Sequence, residues 1–417
     1  MSLSVKDPEE AIILQERQEL RLRLPKNDID RLQEINQLTV NRESAEIAIV
    51  ESKGYVGAIG LPSGQLLEIW PKVECNLLYL LAYDDRLDNE LVYGDAAGFE
   101  IGESFVEIIA RLYIRELKRV LKRGLYRDYR EHTGREKHLR GRLDLHRQLQ
   151  HQEPHGTEFE VEYDDLTYDL PINQVILRAT TMLRRLVNDQ SLLSELNRYH
   201  GMLHQRLEPR ELTRSEVENI SLSRLNSYYQ SLLELAQMIL EHSFINAIGT
   251  SQTQFRTFLI DIEQLFEKVV QRSVRETLGQ NYSMNTGQVG HLAANTNGET
   301  IQGLEPDFTL TNKKSGAVVL VGDAKWKSDS QPARGDLYQI STYMAKFDAP
   351  GLLVYPDQGG KATDRYSFDT DDAANPHRPL HTIELPFDAK SYEDFPKSVE
   401  AAISNQIQQI MEATYNS

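Results

Sequence analysis

The chain has 417 residues, long enough for two or three domains with cores of their own, and its 40% hydrophobic and 26% charged content suits an ordinary globular protein. With 63 acidic residues against 46 Lys and Arg, the net charge of −17 works against binding naked DNA, which depends on cations displacing counterions. The single cysteine, Cys75, excludes a disulfide framework and any multi-cysteine zinc site; it is read as a buried or half-buried thiol.

Residues 1–7 lack the basic and apolar segments of a signal peptide, and no apolar stretch approaches the roughly 20 residues that cross a bilayer. A cytoplasmic protein with no membrane partner is therefore expected. Residues 1–100 read as short strands and turns, clearest at 47–50, 54–60 and 66–73. Pro62-Ser63-Gly64 closes a hairpin between the last two, and the glycines there are read as turn requirements. From Glu103 the period becomes helical: Phe105, Ile108, Ile109, Leu112, Leu117, Val120 and Leu121 share a face that ends at Gly124. Residues 111–147 hold 13 Lys or Arg against five acids, a basic patch on an acidic body. Arg111, Arg115, Lys118 and Lys122 form a stripe, which is either solvated surface or a contact for DNA or an acidic partner.

Further on, Asp164, Asp165 and Asp169 fit turn and helix-entry roles better than metal ligation. Residues 171–186 and 222–244 read as long helices, and His200 and His204 lack a third ligand for zinc. A helix is expected over 255–274, with Phe258, Ile262, Leu265, Phe266 and Val269 on its apolar side and Glu263 and Glu267 sharing another face. Residues 301–311 and 317–321 form a hairpin across a turn at 312–316. A helix over 332–347 places Gln339 and Tyr343 one turn apart, and 351–355 is a buried strand. No phosphate-cradling G-x-x-x-x-G-K-[ST] occurs; Gly359-Gly360-Lys361-Ala362-Thr363 lacks the leading glycine and the hydroxyl after lysine.

The chemistry concentrates in Pro306-Asp307, then Asp323-Ala324-Lys325 after 15 intervening residues, then Gln339-x-x-x-Tyr343. Asp323 and Lys325 are two apart on a strand and leave the same face, with the Ala324 carbonyl free to join a metal shell. Two carboxylates suffice to hold Mg²⁺, or Mn²⁺, and a lysine beside them can position an attacking water and offset charge on a phosphate. This set, with its flanking strands and helix, resembles the PD-(D/E)xK nuclease superfamily, in the branch whose core is followed by a QxxxY helix. The resemblance implies Asp307, Asp323 and Glu267 as metal ligands and Asp307, Asp323, Lys325, Glu267 and Gln339 as catalytic residues, with Tyr343 packed behind Gln339.

A narrower resemblance covers roughly residues 45–390. It rests on Leu67-Glu68-Ile69-Trp70-Pro71-Lys72, Gly124-Leu125-Tyr126-Arg127-Asp128-Tyr129, Leu139-Arg140-Gly141-Arg142-Leu143-Asp144, and Tyr163-Asp164-Asp165-Leu166-Thr167 before Pro171-Ile172-Asn173. In this order the pieces are similar to the McrC family, nuclease subunits of modification-dependent restriction systems of the 5-methylcytosine type. That resemblance implies a partner, a hexameric AAA+ GTPase of the McrB type whose hydrolysis the N-terminal part stimulates, and modified double-stranded DNA as substrate. It accounts for the acidic balance and the missing phosphate loop, since DNA reading and the motor belong to the partner. The fold class expected is α+β and multidomain: a β-rich partner-docking region (1–100), a mainly helical region (101–250), a C-terminal α/β nuclease core (251–390) and a C-terminal helix (391–417). Two rival readings remain at this level: a non-catalytic adaptor of an AAA+ ring on a degenerate nuclease scaffold, and a stand-alone repair nuclease of the RecB type.

Overall fold

Short strands that alternate buried and more exposed residues build much of the N-terminal region. In the computed structural model, residues 12–84, 104–150, 158–244, 257–287, 290–294, 300–327, 329, 331–357, 365–366, 379–389 and 391–415 are described. The readings made for residues 1–7, 103, 255 and 359–363 lie outside them. The protein is α+β and multidomain, and it divides into two compact units, Met1–Ile108 with Ile248–Ser417, and Ile109–Ala247. Among the described residues no helix is long and apolar enough to cross a membrane.

The first unit begins with β1 (Ile12–Gln15), β2 (Glu19–Arg23), α1 (Lys26–Gln33), β3 (Leu38–Arg42), β4 (Ile47–Ser52), β5 (Tyr55–Gly60), β6 (Leu66–Trp70) and α2 (Leu77–Tyr83). In β4 alternate residues are buried, the pattern of a strand with one face on a core. It lies central in the sheet β2-β4-β3, and its Ala48 and Val50 join Leu22, Ile29, Leu32, Leu67 and Ile69 in one apolar cluster. Residues before 45 thus supply three strands and a helix to this core. The 54–60 glycines are more than turn residues. Gly57 lies within β5 at φ 139°, and a Cβ there would meet the Phe258 carbonyl oxygen at 2.0 Å.

The second unit carries most of α3 (Phe105–Arg123), then β7 (Asp128–Glu136), β8 (Arg142–Leu143), α4 (Leu145–Gln150), β9 (Phe159–Thr167), α5 (Pro171–Leu183), α6 (Gln190–His204), α7 (Arg214–Glu218) and α8 (Gln230–Phe244). Asp164 and Asp165 sit within β9, paired with β7, and not in a turn; Asp165 forms an ion pair with Arg140. The helix expected over 222–244 starts later. The Asn226 side chain accepts the Ser223 N–H at 2.6 Å and holds a turn there, followed by a 3-10 turn at Ser227–Tyr229. Asn173 explains the Pro171-Ile172-Asn173 sequence. It is fully buried, donates to the Tyr126 and Tyr168 carbonyls at 2.8 and 2.7 Å, and accepts from Tyr229 Oη at 2.8 Å. Several cations of the basic segment are engaged in ion pairs: Lys118 with Glu195, Arg115 and Arg119 with Glu116, and Arg135 with Glu160.

The chain then returns to the first unit with β10 (Thr257–Asp261), α9 (Ile262–Thr277), β11 (Tyr282–Asn285), β12 (Gly290–Ala294), β13 (Thr300–Leu304), β14 (Phe308–Asn312), β15 (Val318–Ala324), α10 (Arg334–Phe347), β16 (Gly351–Pro356), β17 (Arg365–Tyr366), β18 (Leu380–Leu385) and α11 (Asp394–Tyr415). Within the helix expected over 255–274, Thr257–Asp261 is instead a strand. Thr257 to Ile260 are all buried and complete the sheet β1-β6-β5-β10, and Asp261 caps α9 by accepting the Gln264 N–H at 2.9 Å. The strand expected over 301–311 is likewise two, because Pro306, lacking a backbone donor, separates β13 from β14. The main sheet has the order β11-β14-β15-β16-β18-β17, with α10 and α11 packed against it and α9 against α11.

Candidate active site

The site forms where β14 begins and β15 ends. These strands run antiparallel with Phe308 opposite Gly322, so Asp307 and Asp323, one residue beyond that pair on each strand, come together. Gly322 is required there: a Cβ on it would lie 1.9 Å from Phe308 Cζ. The Ala324 N–H donates to Asp307 Oδ2 at 2.6 Å and fixes that carboxylate to the end of β15. Lys325 leaves β15 with its own N–H bonded to the Val354 carbonyl at 2.8 Å, held by the parallel strand β16.

α10 presents its side chains to this junction, with Ile340, Tyr343 and Met344 buried on one face. Lys325 Nζ forms an ion pair with Asp323 Oδ2 and donates to Gln339 Oε1 at 2.9 Å. The Gln339 amide donates to Tyr343 Oη at 3.1 Å and to Asp323 Oδ1 at 3.4 Å, and Tyr343 Oη donates to the Glu305 carbonyl at 3.2 Å. The structure thus joins Asp323, Lys325, Gln339 and Tyr343 in one network and sets Asp307 beside it.

Glu267 approaches from α9, whose buried residues Leu265, Phe266, Val269 and Val270 fix its rotation. A residue that sequence reasoning passed over carries its link to the site. Gln271, one turn further, donates to Glu267 Oε1 and to the Asp307 carbonyl, each at 2.8 Å. Its spacing of four from Glu267 was the available signal. Glu263, on the same face, is instead engaged by Arg17.

Electrostatically the cluster is strained. Burial, then the neighbouring Asp323 charge, pushes Asp307 up to about 8. Burial also raises Asp323, against the opposing pull of Lys325. Glu267 is raised by burial and by Asp323. Burial works against the Lys325 charge, but Asp323 and Asp307 outweigh it, so the ammonium is held above its ordinary range. Among the described residues no group of three or more His, Cys, Asp or Glu is gathered closely enough to hold a metal. The Asp307 and Asp323 pair nevertheless has the donor chemistry for one hard divalent cation. Asp323 is 1% exposed, and among the described residues its Oδ2 has no hydrogen-bond partner beyond the Lys325 ion pair.

The His200 and His204 rings lie 4.6 Å apart between centroids and tilted to each other, and burial holds His200 down to about 4. Cys75 is half-buried, and desolvation raises its thiol, which makes it a poor nucleophile.

A family model described as McrBC 5-methylcytosine restriction system component matches residues 50–356. No curated protein matches the chain. Among solved structures, a chain of the refined half-complex from a tetradecameric assembly of Thermococcus gammatolerans McrB AAA+ hexamers with bound McrC is similar at 18% identity and a TM-score of 0.63, over 94% of this chain and 100% of that one. A chain of the Thermococcus gammatolerans McrBC complex, determined by electron cryo-microscopy, is 20% identical with a TM-score of 0.45, over 65% of this chain and 89% of that one.

Proposed function

Because this chain belongs to the McrC family of McrBC 5-methylcytosine restriction system components, we propose that it is the Mg²⁺-dependent DNA endonuclease subunit of such a system, working with an AAA+ GTPase of the McrB type. The observation that carries the proposal is the network of Asp323, Lys325 and Gln339 beside Asp307 at the ends of two paired strands. The hexameric partner is supported by the similar fold found in a complex of McrB hexamers with bound McrC.

Asp307 and Asp323 would hold the cation, with Glu267 helping directly or through a water. When bound it supplies Lewis acidity at the scissile phosphate and acidifies water. The protein's own groups do the positioning. Lys325 is charged and held between Asp323 and Gln339, so its ammonium can orient an attacking water or offset charge developing on the phosphate oxygens. Gln339 spends its carbonyl on Lys325 and its amide on Tyr343 and Asp323, which fixes both its own rotamer and the direction of the lysine. Tyr343 anchors that glutamine to the Glu305 backbone. Ala324 N–H keeps Asp307 turned toward Asp323.

Cleavage of modified and unmodified plasmid with Mg²⁺ tests the reading, using wild type and Asp323→Ala, each with the AAA+ partner and GTP. Cutting by wild type alone, and only with partner and nucleotide, is the expected result. Equal cutting by both variants would move the active site elsewhere. Stimulated nucleotide hydrolysis without any cutting of modified DNA would favour an adaptor.

A further inference from the structure

Two consecutive residues just after β1 reach two of the elements that carry the candidate catalytic groups. The chain reverses over Gln15–Gln18, where the Gln18 N–H donates to the Gln15 carbonyl at 3.1 Å and Arg17 takes a left-handed φ of 62°. Glu16 points inward and is 0% exposed, and its Oε1 accepts the indole N–H of Trp326 at 2.6 Å. Trp326 follows Lys325 directly, is itself buried, and lies against Phe266 with ring centroids 5.4 Å apart. Phe266 precedes Glu267. Arg17 reaches α9 as well, donating from Nη2 and Nε to Glu263 Oε1 at 2.8 and 3.1 Å, one turn before Glu267.

The Arg17–Glu263 pair is about half exposed and contributes little holding strength. Glu16 is different. A buried carboxylate is costly to keep, and its other partners are distant: the Lys72 backbone N–H and Nζ each lie 3.5 Å from Oε1, while Oε2 has no hydrogen-bond partner among the described residues. An apolar side chain of similar volume would fill the same place without that cost. What only an acceptor at this point can do is fix the indole. Lys325 is then bracketed, by its own N–H on Val354 O and by a clamped Trp326 on the next residue.

We propose that Glu16, a residue of the N-terminal sheet region, is a positioning residue for cleavage: by holding Trp326 it fixes the chain where β15 ends and so the direction in which Lys325 leaves. This rests on the nuclease reading above. It also makes the N-terminal module part of the active-site framework, through residues that lie some 310 positions from the lysine they serve.

The test uses the full-length protein with its AAA+ partner, GTP, Mg²⁺ and modified plasmid. Glu16→Met keeps length and removes the acceptor, Trp326→Phe keeps a ring against Phe266 and removes the donor, and Glu16→Gln keeps an acceptor oxygen. Displacing a catalytic group by a fraction of an ångström to an ångström should lower kcat about 10- to 100-fold in Glu16→Met and in Trp326→Phe. The double variant should fall no further than the worse single one, and Glu16→Gln should cut near the wild-type rate. KM for DNA and stimulation of GTP hydrolysis should stay unchanged throughout. With Trp70→Phe leaving Trp326 as the sole tryptophan, emission should move in Glu16→Met and return in Glu16→Gln. A wild-type kcat in Glu16→Met, or losses that add in the double variant, would overturn the positioning role alone, since wild type still cuts. Loss of GTPase stimulation alongside cutting would reduce Glu16 to a folding role and overturn it too. If wild type itself does not cut, the nuclease reading fails and the proposal falls with it.

Discussion

Gly322→Ala should disturb the site through sterics alone. Its backbone does not adopt a glycine-specific φ; the constraint is the Phe308 ring, whose Cζ, Cε1 and Cε2 would lie 1.9, 2.3 and 2.4 Å from an added Cβ. Phe308 is fully buried between paired strands, so the ring cannot move aside without shifting β14. Overpacking of this kind costs about 1–3 kcal/mol. Phe308→Leu removes those three ring atoms and leaves a void, at less than the roughly 3–5 kcal/mol of a Phe→Ala change. Combined, the alanine methyl enters the space the ring vacated. The double variant should therefore be more stable than the sum of the singles predicts by about 1 kcal/mol or more. Chemical unfolding read through Trp326 emission, with Trp70→Phe as background, measures the cycle near the site. Gly322→Ala should also cut poorly, because Asp307 and Asp323 flank the displaced pair, and Phe308→Leu should restore part of the loss. Strictly additive free energies, or a Gly322→Ala protein as stable as wild type, would refute the packing argument.

Lys325→Ala should abolish cutting yet leave stimulation of the partner's GTP hydrolysis near wild type; comparable loss of both in a folded variant would show that the two tasks are not separable. With Asp307 pushed up to about 8, the metal-free protein holds that proton at pH 7, so Mg²⁺ binding should release between about half and one proton. Calorimetry in phosphate and Tris buffers reads this release, and affinity should rise with pH from about 6 to 8. The sign follows from a folded value raised above the unfolded one: stability contributed by protonated Asp307 is present below the ordinary carboxylate range and lost as pH climbs through about 8. Buffer-independent heats, or equal release from Asp307→Asn, would contradict it. Gln271→Ala removes both hydrogen bonds that bridge Glu267 to the Asp307 carbonyl, and loss of the one that holds Glu267, about 1 kcal/mol, should slow cutting roughly fivefold. An unchanged rate would leave Glu267 without a demonstrated link to the site.

What the sequence revealed depended on how local each signal was. The β4 alternation, the 105–123 helix and the buried run of β15 announce themselves, because period and burial coincide within one element. The Asp307, Asp323, Lys325, Gln339 and Tyr343 set was legible because its spacing along a hairpin and a following helix is local and resembles a known nuclease core. The failures are tertiary. Thr257–Asp261 has an apolar run compatible with either period, and only its pairing with β5 makes it a strand. Residues 12–42 carry strands and a helix whose apolar positions are too few to show a pattern without the β4 and β6 partners they pack on. Glu16 and Trp326 are 310 residues apart, and nothing in either neighbourhood hints at the other. Gly57 was read as a turn glycine, and nothing local marks Gly322; the Phe258 backbone and the Phe308 ring that constrain them come from other parts of the chain.

The second lysine of Asp323-Ala324-Lys325-Trp326-Lys327 shows how the structure separates two identical groups. Lys327 faces the start of α10, where its Nζ lies 2.7 and 2.5 Å from the Asp336 carboxylate oxygens. Asp336 in turn accepts the Ala333 N–H at 3.0 Å and caps the helix, so Lys327 neutralises a structural carboxylate that would otherwise raise Asp323 further. Lys325 instead meets Asp323 and Gln339, the groups set around Asp307. One lysine thus holds the framework and keeps a stray negative charge from the site, which leaves the other facing Asp323 and Asp307, whose pKa values are both raised. Such a cluster is destabilising as it stands, and a fold selected for stability alone would replace it with apolar residues. On the proposed nuclease reading, a bound cation and Lys325 would together balance these carboxylates and a phosphate substrate, which would account for such a cluster among buried strands.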